Sequence, residues 1–219
     1  MNTADSPRIA VIGLGYVGLP LCLAFARSGA RVLGVDTDPA KPRDLLAGRS
    51  YIKHVPAADI AAAVREGGFD ATTDFGRLAE VDAILICVPT PLTPNRVPDL
   101  THVESTARSI ATHLRRGQLV ILESTTYPGT TEEVVRPILE QAGGLHAGTD
   151  FHLAFSPERE DPGNATALRD IPKVVGGLTP SCRDAAVKLY GRIVRQVVPV
   201  SSCRAAEATK LLENIFRSV

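Results

Sequence analysis

The chain has 219 residues, 44% of them hydrophobic, and its 24 basic residues balance 24 acidic ones. That apolar share excludes a disordered polymer and allows one large domain, or one domain and part of another. The charge balance gives no electrostatic case for nucleic acid or an anionic membrane surface, and no apolar run reaches membrane-spanning length.

In chain order, the polar start from Met1 to Ser6 does not read as a signal peptide. Cys22, Cys87, Cys182 and Cys203 are scattered and form no paired motif, so they read as free thiols. Both features predict a cytoplasmic protein. The histidines lack metal-ligand spacing, and no metal is expected.

An apolar strand over 9–12 runs into Gly13-x-Gly15-x-x-Gly18, followed by a helix over 16–28 that Gly29 closes. Pro20 falls early in that helix, where its cost is limited. A second strand over 32–35 ends in Asp36. This order suits a dinucleotide. Gly13 permits the tight turn, Gly15 lets backbone approach a pyrophosphate, and Gly18 lets helix and strand pack closely. The Asp36 carboxylate would accept from both ribose hydroxyls and repel a 2′-phosphate, which favours NAD over NADP. A glycine turn in some other βαβ unit is the competing reading.

Further along, a short helix is expected over 43–47, an alanine-rich helix over 59–66 and a weak strand over 69–73. The strand over 83–88 is apolar throughout, as a strand buried on both faces requires. Prolines then forbid regular structure up to Pro94. A helix over 100–114 has Asp99 as its N-cap, and a strand follows over 119–122. A helix opens at Thr130 or Thr131 and runs to 141, with Glu132 and Glu133 in its first turn. Strands over 151–155 and 173–175, a helix over 181–194 and a strand over 197–200 complete the pattern. Residues 203–219 carry a rough helical stripe with no stop signal, which predicts a chain cut inside a helix of a longer protein. The alternation predicts an α/β fold: a doubly wound parallel sheet of Rossmann type with helices on both faces over 1–200, then the start of a long connecting helix over 201–219.

Four loops follow strands at the edge where such a sheet binds its ligand: 13–18, 88–94, 123–129 and 156–163. Val88-Pro-Thr-Pro-Leu-Thr93 reads equally as a cofactor wall and as a plain proline turn. Glu123-Ser-Thr-Thr-Tyr-Pro-Gly129 offers an acid and hydroxyls to hold a water or a substrate hydroxyl, or to cap the next helix. Ser156-Pro-Glu-Arg-Glu-Asp-Pro-Gly163 stiffens a charge cluster, in which Arg159 suits a phosphate or carboxylate. Glu207, Lys210 and Asn214 share one helix face, and by spacing alone they are surface decoration.

At these residues the sequence resembles the UDP-glucose/UDP-N-acetylglucosamine/UDP-N-acetylmannosamine 6-dehydrogenase family. The run Gly13-Leu-Gly-Tyr-Val-Gly-Leu-Pro-Leu21, the loops just quoted and Ala206-Glu-Ala-Thr-Lys-Leu-Leu-Glu-Asn214 carry the resemblance. Ser50-Tyr-Ile-Lys-His-Val-Pro56 and the Ser156 loop look most like the N-acetylhexosamine branch.

The resemblance implies NAD-dependent oxidation of a UDP-sugar C6 alcohol to the uronic acid, with this chain as the NAD-binding half. It implies that Gly13, Gly15, Tyr16, Val17, Gly18 and Asp36 hold adenosine and pyrophosphate. Lys41 lies against the adenosine end, where Pro39 and Pro42 interrupt a smooth helix. Val88, Pro89, Thr90, Ser124 and Thr125 flank the cofactor, with Thr90 and Thr125 beside the nicotinamide or the reacting carbon. Glu158 assists the hydrolytic stage, Arg159 contacts substrate, Lys210 steadies an oxyanion and Asn214 hydrogen-bonds to Lys210.

The helix from Cys203 would build a homodimer interface. The thiolate nucleophile would follow that helix, beyond this chain, in a glycine-rich setting that none of the four cysteines has. Alone, the chain would then bind NAD without turning over UDP-sugar. The competing functions are a non-catalytic nucleotide-binding module of the same fold, a UDP-glucose 6-dehydrogenase, and a hydroxyacid or 6-phosphogluconate-type dehydrogenase.

Overall fold

Three strands with no charged interior residue form the centre of the molecule: β1 (Arg8–Ile12), β4 (Ala83–Ile86) and β5 (Leu119–Leu122). The structure is a computed structural model that describes residues 6–95, 97–141, 144–158 and 168–218, the side chains of 213–218 excepted. On the first half of the sheet β1 is flanked by β2 (Arg31–Val35), which pairs with β3 (Phe69–Thr72). The second half adds β6 (His152–Phe155), β7 (Lys173–Gly177) and β8 (Val197–Pro199). The strand order is β3-β2-β1-β4-β5-β6-β7-β8.

Period-two alternation sends successive side chains to opposite faces. Ile9 and Val11 join one core with α1 (Gly18–Arg27), α3 (Ala57–Arg65) and α6 (Pro180–Tyr190), represented there by Phe25, Ile60 and Tyr190. Ala10 and Ile12 join the other with α4 (Thr101–Ala111), α5 (Arg136–Gln141) and α7 (Cys203–Ser218), through Val103, Leu139 and Ala206. Helices on both faces explain why these strands are apolar throughout. On α4, Val103, Ala107 and Ile110 recur at helical spacing and are fully buried. A valine or isoleucine side chain so buried contributes about 1.5–3 kcal/mol. Among the described residues no helix is long and apolar enough to cross a membrane.

The predicted elements form, with five differences of physical interest. First, the sheet is not wholly parallel: β7 runs antiparallel to β6, with Phe155 opposite Gly176. A chain that re-enters a sheet from the edge where it left must run antiparallel, because a parallel return needs a crossover. Second, α2 (Ala40–Leu46) begins three residues earlier than expected, with Pro39 as N-cap and Pro42 in the first turn, where no intrahelical amide is lost.

Third, Leu100 and not Asp99 occupies the N-cap of α4. Asp99 still serves that end, since its carboxylate accepts from the Thr101 amide at 2.9 Å. Fourth, the helix after β5 opens with a π turn, Thr131–Val135, before α5. Fifth, an unpredicted 3-10 helix, Phe75–Glu80, follows β3, where Asp74 accepts from the Gly76 amide at 2.8 Å.

Candidate functional site

The C-terminal ends of β1, β2, β4, β5 and β6 open on one cavity of about 580 Å³. Its floor at β1 is the glycine loop. Gly13 has φ +96°, and a Cβ there would sit 2.6 Å from the Cys87 carbonyl oxygen, so only glycine allows the turn. Gly15 has the opposite surroundings: a Cβ would meet nothing within 4 Å, yet the residue lines the cavity. The protein therefore leaves open the space over that backbone. In the first turn of α1 Pro20 has no amide, and the Leu19 and Leu21 amides donate to the Gly15 and Val17 carbonyls at 3.1 and 3.3 Å, so the helix itself adds little to this cradle. Gly18 does not line the cavity. A Cβ on it would lie 1.9 Å from the Gly13 carbonyl oxygen, so Gly18 seats α1 against the loop.

Tyr16 and Val17 form the next part of the wall. Tyr16 is 63% exposed and its ring stacks on His54, 5.7 Å away. The Tyr51 hydroxyl donates to the Leu14 carbonyl at 2.6 Å, so the 50–55 segment is docked on the glycine loop. Asp36 is buried at the end of β2. Its carboxylate accepts from the Leu14 amide at 2.8 Å and the Asp38 amide at 3.0 Å. Lys41, also on the wall, pairs with the same carboxylate at 2.8 Å. Phe75, His102, Ser105 and Thr106 complete this end, and the sequence reading assigned none of them to a site. Phe75 comes from the unpredicted 3-10 helix, and the others lie on α4 among ordinary helix-face residues.

Two loops, at β4 and β5, form the middle of the cavity and are tied together. Val88, Pro89 and Thr90 come from one, Ser124 and Thr125 from the other. The Ser124 hydroxyl donates to the Val88 carbonyl at 2.7 Å, and the Thr90 hydroxyl to the Thr125 carbonyl at 2.6 Å. The Ser124 hydroxyl therefore ties this loop to its neighbour and does not cap the helix that follows. The cap comes from elsewhere: Glu207, fully buried on α7, accepts from the amides of Gly129 and Thr131 and from the Thr131 hydroxyl. Glu207 is thus not the surface decoration that its spacing suggested. Burial pushes its carboxyl above the usual range, against the pull of the Thr131 hydroxyl.

At the far end Glu123 and Glu158 line the cavity. Both pair with Lys173, at 2.6 Å and 3.1 Å, and all three are buried. The Tyr190 hydroxyl donates to Glu123. Burial raises the Glu123 carboxyl, opposed by the Lys173 charge. Burial alone would lower Lys173, but the two carboxylates outweigh it and hold the ammonium above the ordinary lysine value.

Lys173 and Tyr190 were absent from the sequence reading of the site. A lysine opening an otherwise apolar strand was the available signal. Lys210 donates to the backbone carbonyl of Glu158. Arg159 and the Asn214 side chain lie outside the described residues. Cys203 is fully buried at the start of α7 and burial pushes its thiol up, so the helix N-terminus does not activate it.

The glycine cradle, the buried acid at β2 and an elongated cavity across the strand ends fit a dinucleotide laid over the sheet edge. Comparison with known proteins agrees. Residues 7–194 match the model of the UDP-glucose/GDP-mannose dehydrogenase family, NAD binding domain. An NDP-N-acetyl-D-galactosaminuronic acid dehydrogenase of Ralstonia nicotianae is 40% identical, over 98% of this chain and 52% of its own length. A UDP-N-acetyl-D-mannosamine dehydrogenase of Escherichia coli is 40% identical, over 96% and 51%.

The solved structure of a UDP-D-ManNAc dehydrogenase from Pyrococcus horikoshii superimposes with a TM-score of 0.91 at 36% identity, over 96% of this chain and 50% of that one. The chain spans about half the length of the curated relatives it matches. On these grounds the chain belongs to the UDP-glucose/GDP-mannose dehydrogenase family, of which it forms the NAD-binding, Rossmann-type domain.

Proposed function

We propose that the protein carrying this chain oxidises the C6 hydroxyl of a UDP-N-acetylhexosamine, of the UDP-N-acetylglucosamine or UDP-N-acetylmannosamine type, to the uronic acid. The observation that supports this reading is one cavity joining the glycine cradle at β1 to a carboxylate, Glu158, at the end of β6. Bound NAD supplies the hydride acceptor. The Gly13 and Leu14 amides are taken by the Val35 carbonyl and Asp36, so the amides of residues 15–17 hold its pyrophosphate, while Asp36 accepts from the adenosine ribose and Lys41 lies beside that ribose. Val88, Pro89, Thr90, Ser124 and Thr125 wall the cofactor on the sheet side.

Taking an alcohol to a carboxylate removes two hydrides and consumes one water. In our reading Thr125 orients the reacting C6 and Glu158 takes the proton of that water. Lys210, whose ammonium already donates to the Glu158 carbonyl, stabilises the oxyanion. Arg159 and Asn214 complete the substrate side. The part of α7 that exposes Leu211 and Leu212 would form a homodimer interface. Relatives named for N-acetylated nucleotide sugars favour that substrate class over UDP-glucose.

The test is a stoichiometric assay of the protein that carries this chain, with NAD and each of UDP-N-acetylglucosamine, UDP-N-acetylmannosamine and UDP-glucose. Formation of two NADH per uronic acid with an N-acetylated sugar is expected. Faster oxidation of UDP-glucose would reverse the substrate assignment. NAD binding without oxidation of any of the three would favour the non-catalytic binding module.

A further inference from the structure

The antiparallel turn of the sheet at β7 has a chemical consequence. Parallel strands deliver their last residues to the cavity, whereas β7 delivers its first. Continuing the β6–β7 register three residues beyond the Phe155–Gly176 pair brings Lys173 opposite Glu158. There the ammonium meets Glu158 at 3.1 Å and Glu123, from the end of β5, at 2.6 Å. The Lys173 side chain is only 3% exposed, and its nitrogen lies 5.1 Å from the centre of the Tyr190 ring.

A buried lysine bridging two carboxylates is a poor device for stability alone. Desolvating three charges costs several kcal/mol per ion in principle, and apolar residues of similar volume often do as well or better. Neither the core nor the sheet register needs a charge at this point. The cavity does benefit: the two carboxylates at its β5 and β6 end are held on one cation that is itself off the cavity wall.

We propose that Lys173 is a positioning residue that keeps the Glu158 carboxylate ionised and aimed into the cavity. The inference rests on the role given to Glu158 above. Among the described residues, the groups facing this pair include Glu123 from β5, Cys87 from β4, Tyr190 from α6, and Lys210 from α7 through the Glu158 carbonyl. Lys173 lowers the proton affinity of Glu158, and Glu123 raises it by competing for the same ammonium. The two substitutions that remove these charges therefore act in opposite directions.

The experiment uses the protein that carries this chain, in wild-type, Lys173→Met, Lys173→Arg, Glu123→Gln and Glu158→Gln forms. Carboxyl-carbon NMR of labelled glutamate follows the ionisation directly, with the Glu158 signal identified by its loss in Glu158→Gln. In Lys173→Met the Glu158 midpoint is expected to rise by about one pH unit or more, the size of effect an opposite charge at this distance exerts. In Glu123→Gln it is expected to fall, and in Lys173→Arg to stay near the wild-type value. The acid limb of kcat/KM with UDP-N-acetylglucosamine or UDP-N-acetylmannosamine is expected to move with it, while the KM for NAD is unchanged.

Unmoved midpoints in a folded, NAD-binding Lys173→Met would overturn the proposal. If that variant does not fold, a midpoint in Glu123→Gln that is unchanged or raised does so. Full turnover by Glu158→Gln would instead sink the role of Glu158 and leave its ionisation by Lys173 standing.

Discussion

Glu207 accepts from Thr131 twice, through the amide at 2.9 Å and the hydroxyl at 2.7 Å, and so fastens α7 to the helix that follows β5. The same carboxylate accepts from the Gly129 amide at 2.5 Å. These are the orphan donors that begin a helix, and here a side chain 76 residues distant satisfies them. The loop carrying Ser124 and Thr125 is therefore held at both ends, by Val88 on one side and by α7 on the other.

Replacing Glu207 by alanine strands buried donors and is expected to cost about 2–3 kcal/mol of unfolding free energy. Glu207→Gln keeps one acceptor and costs less. The two also differ in pH dependence. Burial raises the Glu207 carboxyl above its ordinary value of 4.5. The folded state then binds the proton more tightly than the unfolded state does, so the stability this proton contributes is complete below 4.5 and is lost as pH rises through the raised value. Urea titrations between pH 4 and 8 should show that loss in wild type and a flatter profile in Glu207→Gln. Parallel profiles would refute the assignment.

Gly15 and Gly18 separate binding from folding. A Cβ at Gly18 lies 1.9 Å from a backbone oxygen, so Gly18→Ala is expected to destabilise by about 1–3 kcal/mol or to displace the loop. A Cβ at Gly15 meets no protein atom within 4 Å, so Gly15→Ala should fold with wild-type Tm. It should nevertheless bind NAD at least about tenfold more weakly, since one lost phosphate contact is worth about 1.4 kcal/mol. Calorimetric titration alongside thermal melts checks both. Wild-type NAD affinity in Gly15→Ala would mean that the open space at Gly15 has no ligand role.

The sequence made the sheet legible where burial is two-sided. An apolar run such as Ala83–Ile86 between turn signals is too short for a buried helix and suits a strand covered on both faces, and the glycine loop has one function per glycine. What could not be read was long-range. The antiparallel entry of β7 depends on how the chain returns after β6, and no local pattern at Lys173 encodes it. Glu207 misled because i, i+3 spacing describes a helix face without saying what that face meets. Phe75 was missed because a short 3-10 turn held by Asp74 has no hydrophobic period. That the loops after β1, β4 and β5 meet at one edge followed from the rule that loops after parallel strands converge, whereas the α4 residues His102, Ser105 and Thr106 did not.

The cysteines should report the fold through their reactivity. Cys22, Cys182 and Cys203 are fully buried, and burial pushes the Cys22 and Cys203 thiols up. Cys87 lines the cavity beside Glu123, and burial with that carboxylate raises its thiol as well. An aromatic disulfide reagent at pH 8 should therefore label Cys87 slowly and the others only on unfolding. NAD should slow the Cys87 reaction further. Fast labelling of Cys203 would show that α7 does not pack as described.

The proposed roles of Asp36 and Lys41 make the coenzyme preference testable. Asp36 is 6% exposed, and its carboxylate is already oriented by the Leu14 and Asp38 amides before any ligand arrives. A ribose diol would meet an acceptor that needs little reorganisation, whereas a 2′-phosphate would meet a fixed negative charge. Lys41 moderates this, because its ammonium pairs with the same carboxylate at 2.8 Å. Asp36→Ser removes the repulsion and leaves Lys41 beside the 2′ position. That variant is expected to lose roughly 10–100-fold in NAD affinity, the range of a charge-assisted hydrogen bond, and to gain in NADP affinity. Adding Lys41→Ala should cancel the NADP gain and leave the NAD loss. Titrating each variant with both coenzymes decides the matter. If Asp36→Ser still prefers NAD as strongly as wild type, the discrimination lies elsewhere on the cavity wall.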